Sequence, residues 1–293
     1  MMKRMAIKPK FQTMCQATPR VLAINDLSGF SHTSLMAIIP VLNSLGISVC
    51  ALPTAVLSSN TEHKGYQLID CSTKLDSFLQ HWSELKLSFG AIYSGFLSNE
   101  KQVDLVEQAI ELFADKETLV IIDPVMGDDG KLYDCFDQSI IHSMQRLIKQ
   151  ANIITPNLTE ASLLLGESYN PQLSLKQVKS MCIALAKQGP DNVVITSVPV
   201  IADISKTAVV CYNKTSDKFS TITCRYLPVN YPGTGDVFAS VLTGLMLKGY
   251  CLTDAIRKTV AFVYRAIELT IAQKTPPQEG ICLEKSLKLL SRL

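Results

Sequence analysis

The sequence is poor in the residues from which metal clusters and disulfide frames are built. It holds only four histidines, and its nine cysteines are scattered without a single Cys-x-x-Cys spacing. An odd, dispersed set of thiols fits reduced side chains better than a disulfide scaffold or a zinc site. Charge is scarce as well: 18% of residues are Asp, Glu, Lys or Arg, and the formal net charge is +2. No dense Lys/Arg stripe interleaved with aromatic rings occurs, which argues against nucleic acid as a partner. No apolar run approaches the roughly 20 residues that a membrane-spanning helix needs. The first 20 residues carry Lys3, Arg4, Lys8, Lys10 and Arg20, no acid, and no apolar core of a signal peptide. Residues 1–19 are therefore expected to be a flexible leader on a soluble, cytoplasmic chain with no membrane partner. Gly-x-Gly-x-x-Gly is also missing after the first apolar run, where Asn25-Asp26-Leu27-Ser28-Gly29-Phe30 stands. That removes the usual dinucleotide-binding dehydrogenase.

What is present is apolar bulk in a regular alternation. Hydrophobic residues make up 47% of the 293 positions, enough for a substantial core. Val21-Leu22-Ala23-Ile24, Ala91-Ile92-Tyr93, Leu119-Val120-Ile121-Ile122, Asn152–Thr155 and Asn192–Thr196 read as strands, and 47–57 as a further extended segment. Helical spacing runs over 32–45, 76–87, 100–114, 138–150, 159–165, 175–188, 235–247 and 253–272. Residues 208–224 form two β-rich stretches around Asn213-Lys214-Thr215-Ser216-Asp217, a predicted hairpin. Strand–helix alternation with long crossovers predicts an α/β fold: a mainly parallel central sheet with helices on both faces. No repeat, low-complexity tract or linker divides the chain, so residues 20–293 are expected to be one domain.

In such sheets the ligand lies at the carboxyl ends of the strands. The sharpest motif there is Pro232-Gly233-Thr234-Gly235-Asp236, opening an apolar helix. Two glycines let backbone N–H groups turn to one point, and the helix adds its positive end, giving an anion hole suited to phosphate. Asp236 is placed to accept a proton from a hydroxyl held against that hole. The competing reading is a tight turn whose Asp caps its own helix, with the helix dipole lowering its pKa and making it a weak base. Asp123-Pro124-Val125-Met126-Gly127-Asp128 puts two carboxylates on one loop, which suits hydrated Mg²⁺ or an ordinary Asp-Pro turn. In Thr155-Pro156-Asn157-Leu158-Thr159-Glu160, Asn157 and Glu160 share a helix face. They could hold metal-bound water, or simply cap the helix.

The order of these motifs along the chain, with Val193-Val194-Ile195-Thr196-Ser197 between the last two, resembles the ribokinase-like superfamily from Ile24 almost to the C-terminus. Within it the sequence is most similar to the pyridoxal/pyridoxamine kinases. The resemblance implies a ribokinase-like three-layer sandwich and ATP-dependent phosphorylation of the 5′-hydroxymethyl group of pyridoxal, pyridoxamine or pyridoxine. It implies Asp236 as base, with Gly233 and Gly235 as the anion hole. Asp123, Asp128, Tyr133, Asn157, Thr196, Ser197 and Thr234 are implied on the nucleotide side, and Asp123, Asp128, Thr155 and Glu160 around Mg²⁺. A monovalent cation, K⁺ or Na⁺, and a homodimer are implied too. On the vitamin side stand Asp26, Ser28, Thr54, in a segment similar to the family's Asn-Thr-Val-Gln-Phe-Ser, and Phe96, in place of a Tyr.

Asp26 departs from the Ser of classical pyridoxal kinases, and an acid there would favour the amine of pyridoxamine. Asp26-Leu27-Ser28-Gly29 instead resembles the start of hydroxymethylpyrimidine kinases, which keeps a thiamin-precursor kinase as the alternative. A non-catalytic sensor of nucleotide or vitamer is the third reading. His32, Trp82, Cys211 and Cys224 are expected to be structural.

Overall fold

The structure, a computed structural model, describes residues 18–292. Of the expected leader, residues 1–17 lie outside the described residues. Pro19 leads directly into the sheet, its carbonyl accepting the Ser48 N–H at 2.8 Å. The chain continues through β1 (Arg20–Ser28), α1 (Ser34–Ser44), β2 (Ser48–Leu57), β3 (Leu68–Asp70), α2 (Ser72–Glu84), β4 (Ala91–Ser94) and α3 (Glu100–Phe113). Next come β5 (Leu119–Ile122), β6 (Gly127–Asp128), β7 (Lys131–Leu132), α4 (Ser139–Leu147), β8 (Ile153–Ile154), α5 (Leu158–Leu165) and α6 (Leu175–Lys187). β9 (Asn192–Pro199), β10 (Lys206–Asn213), β11 (Lys218–Arg225), α7 (Thr234–Leu247) and α8 (Leu252–Ala272) complete it.

One nine-stranded sheet runs in the order β11-β10-β9-β8-β5-β4-β1-β2-β3. β9, β8, β5, β4, β1 and β2 are parallel, and antiparallel pairs close both margins. The central strands are apolar on consecutive residues because both faces are covered. Leu22 and Ile24 of β1 enter the layer under α2–α6, while Val21 and Ala23 enter the layer under α1, α7 and α8. The α/β sandwich with helices on both faces is thus present as expected.

Some boundaries differ from the sequence reading. Helix α2 starts at Ser72, not 76, because the Asp70 carboxylate accepts the Ser72 N–H at 2.8 Å and begins the turn with polar residues. β9 runs on past Thr196. Ser197 takes a left-handed φ of 54°, and the β9–β10 register shifts nearby, between Ala208 and Val210. Such a bulge lets a strand bend and continue. β3 and the β6–β7 pair are too short to show a period.

The topology also fixes where a crevice must lie. From β1 the chain first steps outward to β2 and then returns to the other side of β1 at β4. Sheets of this kind bind ligands at that reversal, above the strands' carboxyl ends. Asn25, Asp26, Ser94 and Gly95 stand there.

Candidate active site

Asp236 stands at the third position of α7, yet it does not cap that helix. The N-cap is Gly233, in the left-handed region at φ 86°, and no side chain caps the turn. A Cβ at Gly233 would lie 2.0 Å from the His32 carbonyl oxygen, so only glycine lets the turn pack against the β1–α1 loop. The Asp236 carboxylate reaches across to that loop instead. Its Oδ2 accepts the Ser34 backbone N–H at 2.8 Å, and its Oδ1 accepts the Asn25 side-chain N–H at 3.2 Å. Thr234 donates both its N–H and its hydroxyl to the Tyr231 carbonyl, at 3.3 and 2.6 Å, and so tightens the turn. The Gly235 and Asp236 N–H groups belong to the first helical turn, where amides have no intrahelical acceptor and favour an anion.

The mid-chain acids meet this turn. A Cβ at Gly235 would sit 3.7 Å from Oδ2 of Asp123, so the missing side chain keeps the space between turn and carboxylate open. Asp123 follows β5, and its Oδ1 accepts the Thr155 hydroxyl at 2.8 Å. Behind it, α5 clamps the 126–130 loop. Asn157 donates to the Gly127 carbonyl at 2.8 Å, Thr159 accepts the Gly130 N–H at 2.9 Å, and Glu160 accepts the Met126 N–H at 3.1 Å. Asn157 and Glu160 form a full capping box, so the capping alternative holds for that pair. Glu160 is at the same time sunk beside Asp123, at 4% and 5% exposure.

No ion pair among the described residues engages Asp26, Asp123, Glu160 or Asp236. Burial consequently dominates their acidity. It pushes Asp236 up to about 7, with Asp26 and Asp123 adding repulsion against the opposing bonds from Ser34 and Asn25. This reverses the expectation of a weak base held down by the helix dipole. Burial likewise lifts Asp123 to about 7, and lifts Glu160 well above its ordinary value, with Asp123 the largest charge beside it. Carboxylates buried without a cationic partner are the natural seat of a cation. No three His, Cys, Asp or Glu side chains among the described residues converge into a metal cage. The ion that fits is one drawing most of its ligands from water and phosphate.

The profile of the phosphomethylpyrimidine kinase family matches residues 36–280. The chain belongs to that family. A Bacteroides thetaiotaomicron protein named as a phosphomethylpyrimidine kinase is 39% identical, with a TM-score of 0.91 over 94% of this chain and 95% of its own. A second crystal form of it, with pyridoxal, superposes with a TM-score of 0.90. Pyridoxal kinase from Lactobacillus plantarum is 31% identical over 94% of this chain and 97% of its own, at a TM-score of 0.85. The pyridoxal kinase of Rubrobacter xylanophilus is 24% identical over 91% of this chain and 93% of its own length.

Seen as a family member, the chain places its remaining candidate residues unevenly. Asp26 is 4% exposed, and each of its oxygens accepts a serine hydroxyl, from Ser28 and from Ser34. The acid is thus already bonded to two hydroxyls at the end of β1. Thr54 is fully buried with its hydroxyl unpartnered. Phe96 is half-buried and packs on Phe136 with ring centroids 5.3 Å apart. Tyr133 donates its N–H to Met126 O and stands 39% exposed above Glu160, Asp128 and Asp123, whose charges join burial in raising its hydroxyl pKa. Asp128 is half-buried, its carboxylate accepting the Asp129 N–H. Thr196 donates its N–H to Pro156 O at 2.9 Å and bridges to Asn157, while Ser197 is exposed on the bulge.

Three residues escaped the sequence reading. Asn25 orients Asp236 and also accepts the Asp26 N–H; Gly95 leaves it room, since a Cβ there would lie 2.2 Å from its amide nitrogen. Ser34 joins two acids, its N–H on Asp236 and its hydroxyl on Asp26, from a left-handed φ of 52°. A non-glycine residue held there is strain stored at a functional position. Tyr93, between these groups, was read only as strand.

Proposed function

We propose that this chain transfers the γ-phosphoryl group of ATP to the 5′-hydroxymethyl group of a B6 vitamer. The observation that carries the reading is Asp236: a carboxylate with acidity near neutrality, aimed by Ser34 and Asn25, beside amides suited to phosphate. Asp236 orients the alcohol and takes its proton as the oxygen bonds to the γ-phosphorus and the bond to the β-phosphate oxygen breaks, releasing ADP. The Gly233 and Gly235 amides at the start of α7 meet the charge on the moving group. Asp123, Asp128, Thr155 and Glu160 are the residues that would hold Mg²⁺, which when bound neutralises phosphate charge. A monovalent cation, K⁺ or Na⁺, is the further ion that the family resemblance implies. The pyridoxal-bearing crystal form of the Bacteroides relative, at 39% identity, supports the acceptor.

A second reading keeps the chemistry and changes the alcohol to hydroxymethylpyrimidine, favoured by the family profile and by the Asp26–Ser28 loop. Incubation with MgATP and a panel of vitamers and pyrimidines, with mass detection of product, tests both. Phosphorylated pyridoxal, pyridoxamine or pyridoxine is expected. Pyrimidine phosphate alone favours the second reading, and no phosphorylated product in any arm leaves a ligand sensor. We also infer a homodimer in the cytoplasm; eight cysteines among the described residues are free thiols, which suits a reducing compartment.

A further inference from the structure

Strand β4 carries a polar group that the chemistry above leaves unused. Tyr93 is 0% exposed, and its phenol oxygen has no hydrogen-bond partner. A buried donor left unmet is costly, so a Tyr in a packed core normally has a fixed acceptor. Tyr93 lies opposite Ala23 of β1 and Ile121 of β5, in the layer under α7. Two residues further on, the same face presents Asn25, Gly95 and Asp123 side by side. Gly95 contributes no side chain, and the Asn25 amide that fills its place is the one bonded to Asp236. The phenol therefore sits one row beneath the carboxylates. The charges acting on it are, in order, Asp236, Asp123 and Asp26; burial acts more strongly still, and together they keep the phenol protonated.

We propose that Tyr93 is a positioning residue for Asp236, its O–H donating through one internal water to that carboxylate from below. The inference deepens the kinase reading and rests on it, because a base held only from the Ser34 and Asn25 side would be free to tilt away from the alcohol.

The test is Tyr93→Phe, which removes the hydroxyl and keeps the ring. Carboxyl NMR of the ligand-free protein should show the Asp236 titration moved up by about half a unit or more, since loss of a donor to the charged form raises pKa. Turnover should fall about 5- to 50-fold, with KM for ATP and for the vitamer within about twofold. Tyr93→Met, which fills the space without a hydroxyl, repeats both measurements should the Phe variant not fold. An unmoved Asp236 titration with unchanged turnover overturns the proposal. A higher melting temperature with an unmoved titration does so too, by showing a hydroxyl that never had a partner. Absence of product from the unaltered protein would sink the kinase reading, while the ligand-free titration would still decide Tyr93.

Discussion

At Asp236 the geometry and the acidity point the same way. A carboxylate near 7 is half-charged at neutral pH and sits close to the optimum for a general base. Asp236→Asn should lower turnover by about 10²- to 10⁴-fold and leave ATP affinity nearly unchanged, measured by steady-state kinetics and nucleotide titration. The same burial has a thermodynamic sign. Asp236 and Asp123 both rise from 3.8 in ordinary surroundings to about 7 when folded. Between those values the unfolded chain has lost protons that the folded chain keeps, so stability falls as pH rises from about 4 to about 7 and then levels. The metal-free protein should melt higher at pH 5.5 than at pH 7.5. Asp123→Asn and Asp236→Asn should each flatten that slope.

At the scale of elements, the two glycines of the α7 turn have different duties. Gly233 needs its left-handed φ and has a carbonyl 2.0 Å from any Cβ; Gly235 has only the Asp123 carboxylate at 3.7 Å. Gly233→Ala should therefore lower the melting temperature sharply, because both strain and clash oppose it. Gly235→Ala should melt near the unaltered protein yet lose most activity, by narrowing the phosphate space. Calorimetry and kinetics on the pair separate the two roles. These turns were legible in sequence because a glycine pair before an apolar helix has few other uses. Ser34 was not legible: nothing in a serine's neighbours announces a left-handed backbone or a bond to a residue 202 positions away. β3 escaped for the opposite reason, since its exposed residues Leu68, Ile69 and Asp70 carry no burial pattern. Tyr93 was hidden inside apolar strand signal, and nothing beside Asn25 announced its bond to a residue 211 positions away.

The whole molecule ties its opening loop to its C-terminal segment as well. Asn60, 5% exposed, donates to Ser31 Oγ at 2.8 Å and to Gln278 O at 2.9 Å, and His63 meets the same carbonyl at 3.0 Å while stacking near Phe30. This clasp holds the 58–67 connection beside the β1–α1 loop. Asn60→Ala should speed proteolysis within that connection and raise KM for the vitamer about fivefold, with KM for ATP unchanged, since it forfeits buried hydrogen bonds worth ~1–3 kcal/mol. The parallel sheet and its layers were readable from apolar runs and crossover lengths. The clasp was not, because its partners are polar, dispersed and far apart in the chain.

The bonds from Ser34 and Asn25 to Asp236 span 202 and 211 positions. On the ribosome, the early strands and helices emerge and pack long before the carboxylate they are shaped to receive has been translated. Until α7 docks, the nascent molecule owns the Ser34 and Asn25 cradle without its carboxylate. On the proposed reading, competence for transfer waits for α7, and a copy truncated before it has no carboxylate to set in that cradle.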